Sequence, residues 1–447
     1  MKKKNILLGF VTLFACFSLA DAQINHIEFQ EFTLDNGMHI ILHQDHSTPI
    51  VAINITYHVG SKNEQADRTG FAHFFEHLMF EGSEHVERGE FVEYVKNAGG
   101  VYNAGTSFDY TLYYEILPSN QLELGLWLES DRLMQLGIDS VGVETQRSVI
   151  KEERRQIFDN QPYGSLTEEV FSNSFKKHPY RWVPIGDVQY IDQAELHEFI
   201  EFHNHFYVPE NAVLVISGDI EYDQTRKLVK DYFGEIPRHN HEIYRPDINE
   251  PPQTKEIRKT VYDNIQLPAL IAAYRVPGMG DPDSYSLEML QTLLSGGQSS
   301  RLYKSLVDNK QMAVQFAAQP LALEDYGVFI IYGFANMGVK LEDLEAAMEE
   351  EIKKVKESGL TDREFQKLQN QMENDFISRN TTMAGISESL ATYHTFYGDA
   401  NLINTEIEKY LAVTPENIID VAKKYLVPEN RVVLYYLPKE QEPESIN

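Results

Sequence analysis

The tetrapeptide Val-Pro-Glu-Asn occurs twice, at 208–211 and 427–430, about half a chain apart in 447 residues. Each copy runs into an apolar, strand-forming stretch, AVLVI at 212–216 and RVVLY at 431–435. Each follows a helical pattern, over 196–202 and 418–425. A helix–turn–strand context repeated at that distance marks a duplicated domain, because solenoid units recur every 20–50 residues or so. Strand and helix patterns mix in both copies, so the expected class is α+β: two homologous α/β half-domains. The first spans 27–238 and the second 256–438, joined by a polar linker over 239–255 with Pro246, Pro251 and Pro252. The first opens with strands over 29–34 and 38–43 around an Asp35-Asn36-Gly37 turn, then a strand over 51–57. The second carries long helical patterns over 341–358 and 362–378, and residues 439–447 read as a frayed end.

Residues 1–22 read as a secretory signal peptide. Lys2, Lys3 and Lys4 precede an apolar run over 6–19, and Ala20-Asp21-Ala22 supplies a small-x-small exit before Gln23. The run is shorter than the roughly 20 residues of a membrane span. The expected product is exported and periplasmic. Cys16 is the single cysteine. Lipid anchoring through it is disfavoured, because Phe14 stands where a small residue belongs. Cleavage after Ala22 leaves no thiol, so any metal site must use histidines and carboxylates. The net charge of −29 disfavours a nucleic-acid partner.

Residues 73–77 read His-Phe-Phe-Glu-His. At 100° per residue, Phe71, Phe74, Phe75 and Leu78 share one arc of a helix, while His73, Glu76 and His77 share the opposite one. Thr69 is expected to cap this helix and Gly82 to end it. Histidines at i and i+4 can hold one Zn²⁺ through ring nitrogens. The Glu between them can serve as base toward a water that the metal acidifies. This spacing is the inverted His-x-x-Glu-His zinc signature. A third ligand must come from another element. The helical pattern over 141–158 offers Glu144, Glu152 and Glu153, with Val149, Ile150 and Ile157 expected on its buried side. Periodicity does not choose among the three carboxylates. Scattered histidines (His43, His85, His178, His203, His205) read as surface or core residues, and Ser295-Gly296-Gly297 lacks the Lys-Ser/Thr of a nucleotide loop.

The motif His73-x-x-Glu76-His77, followed on that later helix by Glu153, resembles the pitrilysin-type inverzincin metallopeptidases. That family includes insulin-degrading enzyme and the β subunit of mitochondrial processing peptidase. Ser130-Asp131-Arg132-Leu133, Gln146-Arg147, 149–153 and Ser299-Ser300-Arg301-Leu302 extend the likeness over nearly the whole chain, in the manner of the smaller two-domain members. The resemblance implies His73, His77 and Glu153 as zinc ligands and Glu76 as general base. It also implies a clam-like pair of half-domains around an unfolded peptide. The peptide is expected to add as a strand beside 102–106, with Asn103 and Ala104 touching its backbone.

Two departures stand out. Many members carry a second Glu seven residues before the third ligand, where this chain has Gln146. Active members also carry, in the second half, an Arg and a Tyr that hold the substrate carbonyl and the oxyanion. Val307 and Val314 occupy those positions. Losing an oxyanion donor costs about 10²–10³ in rate. The sequence therefore reads as a zinc-dependent endopeptidase acting as the zinc-bearing subunit of a heterodimer, with a homologous partner supplying the Arg/Tyr pair. The alternative is a zinc-binding, weakly active or non-catalytic peptide-holding subunit.

Overall fold

The computed structural model describes residues 26–441 apart from Asn240. The expected signal peptide, with Cys16, lies outside the described residues.

Two mixed sheets carry the architecture. The first contains β1 (Gln30–Thr33), β2 (His39–Gln44), β3 (Ile50–Tyr57), β4 (Val101–Thr106), β5 (Thr111–Pro118) and β6 (Ala212–Gly218), in the order β1-β2-β6-β3-β5-β4. The second contains β7 (Ile257–Asp263), β8 (Ala269–Pro277), β9 (Ala313–Ala322), β10 (Tyr326–Ala335) and β11 (Arg431–Pro438), in the order β7-β11-β8-β10-β9. The second order repeats the first without β1. β6 and β11 each lie parallel to one neighbour, β2 and β7, and antiparallel to the next strand, β3 and β8.

The repeated tetrapeptide has the same structural task in both halves. Its Pro-Glu-Asn forms a single 3-10 turn, at Pro209–Asn211 and at Pro428–Asn430. The Asn side chain then donates to a carbonyl at the end of the preceding helix, Asn211 to Phe206 at 2.8 Å and Asn430 to Tyr425 at 3.0 Å. Each Asn thus satisfies an orphan helix carbonyl and launches the central strand.

The halves are packed into each other. Strand side chains alternate between two faces. In the first sheet, Ile41, Ala52, Val213 and Val215 face away from their own helices and are covered by Ile386, Leu390 and Ala391 of helix Met383–Tyr397, which comes from the second half. Reciprocally, helix Leu166–Ser174 packs on β8 and β11, so Ile271, Ala273 and Leu434 share a core with Phe171. A buried polar contact ties the same region: Lys62 reaches Asp109 at 3.1 Å in the first half and Glu324 and Asp325 in the second. In the connecting segment, Glu250 accepts from the backbone N–H groups of Lys176, Lys177 and His178. Among the described residues, no helix is long and apolar enough to cross a membrane.

Candidate metal centre

The His-x-x-Glu-His motif lies on a helix, Phe71–Leu78. Its apolar arc is buried, with Phe71 and Phe74 packed on Phe199 at 4.8 and 4.4 Å between ring centroids. His73, Glu76 and His77 lie half-buried on the other arc. The expected caps differ. Thr69 accepts a hydrogen bond from the Asp187 N–H instead of capping. Gly70 is the N-cap, in the left-handed region at φ 93°, where a Cβ would lie 2.9 Å from the Ile185 carbonyl oxygen. The cap is supplied by Glu64, whose carboxylate accepts from Gly70 N at 3.0 Å and Ala72 N at 2.8 Å. Burial pushes Glu64 up to about 8, against the pull of those N–H groups. The helix ends at Leu78, and Gly82 lies in the turn beyond it.

The helix Ser140–Arg154 brings the candidates for the third ligand. Asp139 caps it, accepting from Gly142 N at 2.7 Å. Arg147 and Arg154 anchor it by donating to the Ala194 and Gly186 carbonyls. Of the three Glu candidates, Glu144 pairs with Arg147 at the surface and Glu152 pairs with Arg155, whereas Glu153 faces both histidines. Ile150 is buried as expected, but Val149 and Ile157 are 44% and 49% exposed. The chain widens into a π-helix over Arg155–Asp159, which breaks the 3.6-residue phase at Ile157.

His73, His77 and Glu153 each offer a ligand atom within 4.8 Å of the others. Glu153 Oε2 lies 3.6 Å from His73 Nε2 and 3.3 Å from His77 Nε2. Two ligands on a tetrahedral zinc, each bonded at about 2.1 Å, stand about 3.4 Å apart. The two imidazole planes cross at 77°, so their lone pairs can converge. One other trio among the described residues has comparable spacing: Glu31, His39 and His394. Its rings stack at 3.5 Å with an 8° tilt, so their lone pairs run parallel and do not meet. The donor set of two imidazoles and a carboxylate at 73, 77 and 153 fits zinc; the stacked set does not.

The ring environments differ. His77 Nδ1 meets Gln146 Oε1 at 3.1 Å, while His73 Nδ1 is buried with no hydrogen-bond partner. Burial, then the neighbouring His77, takes His73 down to about 4. Burial also opposes charge on His77, but its hydrogen bond to Glu153 and the charges of Glu76 and Glu153 outweigh it and raise His77. Glu153 is lowered, first by that hydrogen bond. Burial raises Glu76, partly offset by a hydrogen bond from Thr106 Oγ1 at 2.6 Å.

Thr106 ends β4, one of the two edge strands of the first sheet. The segment 102–106 is therefore a strand with one open edge. Ser107 N donates to Tyr110 O at 2.8 Å, closing the β4–β5 hairpin. Alternation from that pair directs the Asn103 backbone toward β5 and the Ala104 N–H and C=O to the open edge, with Asn103 exposed. Val314 is 49% exposed on the outermost strand β9, and Val307 packs against the core of the second half.

Three participants escaped the sequence reading. Glu64 caps from outside the helix pattern. Thr106 bonds Glu76 from a strand thirty residues on. Glu81 accepts from Gln146 Nε2 at 2.5 Å, and only the fold brings that pair together.

Residues 39–182 match the family described as Insulinase (Peptidase family M16), and residues 194–372 match the one described as Peptidase M16 inactive domain. The chain is 29% identical to zinc protease PqqE of Helicobacter pylori, over 98% of this chain and 99% of that one. A solved structure of a protease from Helicobacter pylori superposes with a TM-score of 0.88 at 29% identity, covering 92% of this chain and all of that one. Pitrilysin shares the fold at 18% identity and a TM-score of 0.77, with 94% of this chain matching 46% of pitrilysin. The chain belongs to peptidase family M16, whose two-half fold it carries.

Proposed function

We propose that this protein is an exported zinc-dependent endopeptidase acting on peptides or unfolded protein segments. The observation that carries this reading is the convergence of His73, His77 and Glu153 at tetrahedral ligand spacing, with Glu76 beside them on the same helix face. The curated relative's description as a zinc protease supports the metal and the reaction. His73, His77 and Glu153 would hold the ion, which supplies Lewis-acid charge that polarises a peptide carbonyl and acidifies water. Glu76 takes the proton of the attacking water and returns it to the leaving amine nitrogen. Thr106 keeps the Glu76 carboxylate oriented and favours its charged form. The open edge of β4 pairs with the substrate main chain through Ala104, which gives broad sequence tolerance.

The oxyanion needs donors that Val307 and Val314 cannot provide. We assign them to a homologous partner subunit carrying an Arg/Tyr pair, so that the working enzyme is a heterodimer. The test is hydrolysis of an unstructured peptide mixture by the zinc-loaded chain lacking residues 1–22. Slow cleavage that a chelator and Glu153→Ala abolish, accelerated by the partner, supports the split site. Full turnover by the single chain removes the partner from the account. Zinc binding without cleavage in either form favours a peptide-holding subunit.

A further inference from the structure

We propose that Glu81, acting through Gln146, is a positioning residue that fixes the proton of His77 on Nδ1 and so aims its Nε2 lone pair at the metal centre. The inference rests on the zinc reading above. Glu81 is buried, and its carboxylate receives Arg88 on one oxygen and Gln146 Nε2, at 2.5 Å, on the other. A carboxylate of this kind only accepts, so the Gln146 amide must present its NH₂ group to Glu81. Its oxygen then faces His77 Nδ1 at 3.1 Å. An amide oxygen also only accepts, so the hydrogen sits on Nδ1. The donors all run one way, from His77 to Gln146 to Glu81, with Arg88 closing the far end. Arg88 also bonds Asp139 at 2.8 Å, the cap of the helix that carries both Gln146 and Glu153. His73 has no such arrangement, since its Nδ1 meets no partner.

This chain accordingly needs an amide at 146. A carboxylate there would face Glu81 across 2.5 Å. The pair can be exchanged, however. With the amide moved to position 81 and the carboxylate to 146, that carboxylate accepts from His77 Nδ1 and from the amide NH₂, while the amide oxygen accepts from Arg88. In Glu81→Gln alone, the introduced NH₂ can face Gln146, turn that amide over and move the His77 hydrogen to Nε2.

The experiment compares wild type, Glu81→Gln, Gln146→Leu and the exchanged double variant Glu81→Gln/Gln146→Glu. Histidine ¹⁵N NMR of the metal-free proteins at about pH 9, where imidazoles are neutral, reads the His77 tautomer, with Glu153→Ala added to every variant so that its carboxylate no longer accepts from His77 Nε2. Chelator competition reads zinc affinity. The expected result is an Nδ1–H tautomer in wild type and the double variant, and a mixture in Glu81→Gln. Zinc affinity should fall about 10–100-fold in both single variants, the usual effect of removing an outer partner. The double variant should return to within about threefold of wild type, as a coupled pair does. An unchanged tautomer and affinity in Glu81→Gln, or a double variant no better than Glu81→Gln, would overturn the assignment. If wild type binds zinc no more tightly than Glu153→Ala, the zinc reading itself fails, and the metal-free tautomer still decides the role of Glu81.

Discussion

Thr106→Val removes one hydrogen bond from the base and leaves the side-chain volume almost unchanged. The hydroxyl donates to Glu76 Oε2 at 2.6 Å, a bond that is stronger to the charged carboxylate than to the neutral acid. A hydrogen bond to a charged group contributes about 1.5–3 kcal/mol. Glu76 is half-buried and water can replace part of the loss, so about 1 kcal/mol is the working figure, just under one pH unit. The sign follows from the role. Glu76 acts as base only when deprotonated, burial already raises it, and Thr106 opposes that rise. Without the hydroxyl the carboxyl rises further. The acidic limb of kcat/KM should therefore move up by about 0.5–1 pH unit, while the plateau at higher pH changes only a few-fold. The assay is the pH profile of peptide hydrolysis for both proteins at equal zinc content. An acidic limb that stays in place would refute the link between Thr106 and the base.

Four further outcomes follow from the geometry. Ala104→Pro deletes an N–H on the open edge of β4, where proline is tolerated, so kcat/KM should fall by about tenfold or more with little change in the urea midpoint. Arg132 is buried against Glu129 and Glu115 and lies over the rings of Phe91 and Tyr113, so Arg132→Leu leaves the buried Glu129 carboxylate without its cation and should cost about 3–5 kcal/mol in urea unfolding. Gly60→Ala would place a Cβ 2.5 Å from the Phe108 backbone, at the turn joining β4 to β5, and should lower stability by about 1–3 kcal/mol with a drop in activity. His394, stacked on His39, is held down to about 4 by burial and then by His39. The unfolded chain binds that proton more readily, so stability should fall as pH drops from 6.5 toward 4, and His394→Gln should flatten the fall in a pH series of thermal melts.

Legibility in the sequence followed the range of the interactions. The duplication was readable because the Asn of each tetrapeptide bonds a carbonyl five residues back, and a local task leaves a local signature. The two arcs of the motif helix were readable for the same reason, since a 3.6-residue period orders burial within one element. Which carboxylate meets the histidines was not readable from period. Glu152 and Glu153 are adjacent, and two of the three apolar residues expected to mark the buried side, Val149 and Ile157, are exposed, so the pattern misplaces the face that would separate them. Only the family resemblance pointed to Glu153. The capping of the motif helix was misread because its N–H groups are met by Glu64 from a preceding turn, with Thr69 turned to Asp187 instead. The exchange of helices between the halves leaves no local mark either. Met383, Ile386 and Leu390 are spaced for one helix face, and nothing in that spacing names the sheet of the other half as its partner.

The most direct test of the central claim is peptide cleavage by the zinc-loaded chain set beside Glu76→Gln at matched zinc content, with products counted by mass spectrometry. A missing partner lowers the rate by about 10²–10³ but leaves the base in place. The account predicts chelator-sensitive cleavage by the wild-type chain, slow if alone, and a further loss of about 10²–10⁴ in Glu76→Gln with its zinc retained. Cleavage at the wild-type rate by Glu76→Gln, or a wild-type chain that takes up no zinc, would contradict it.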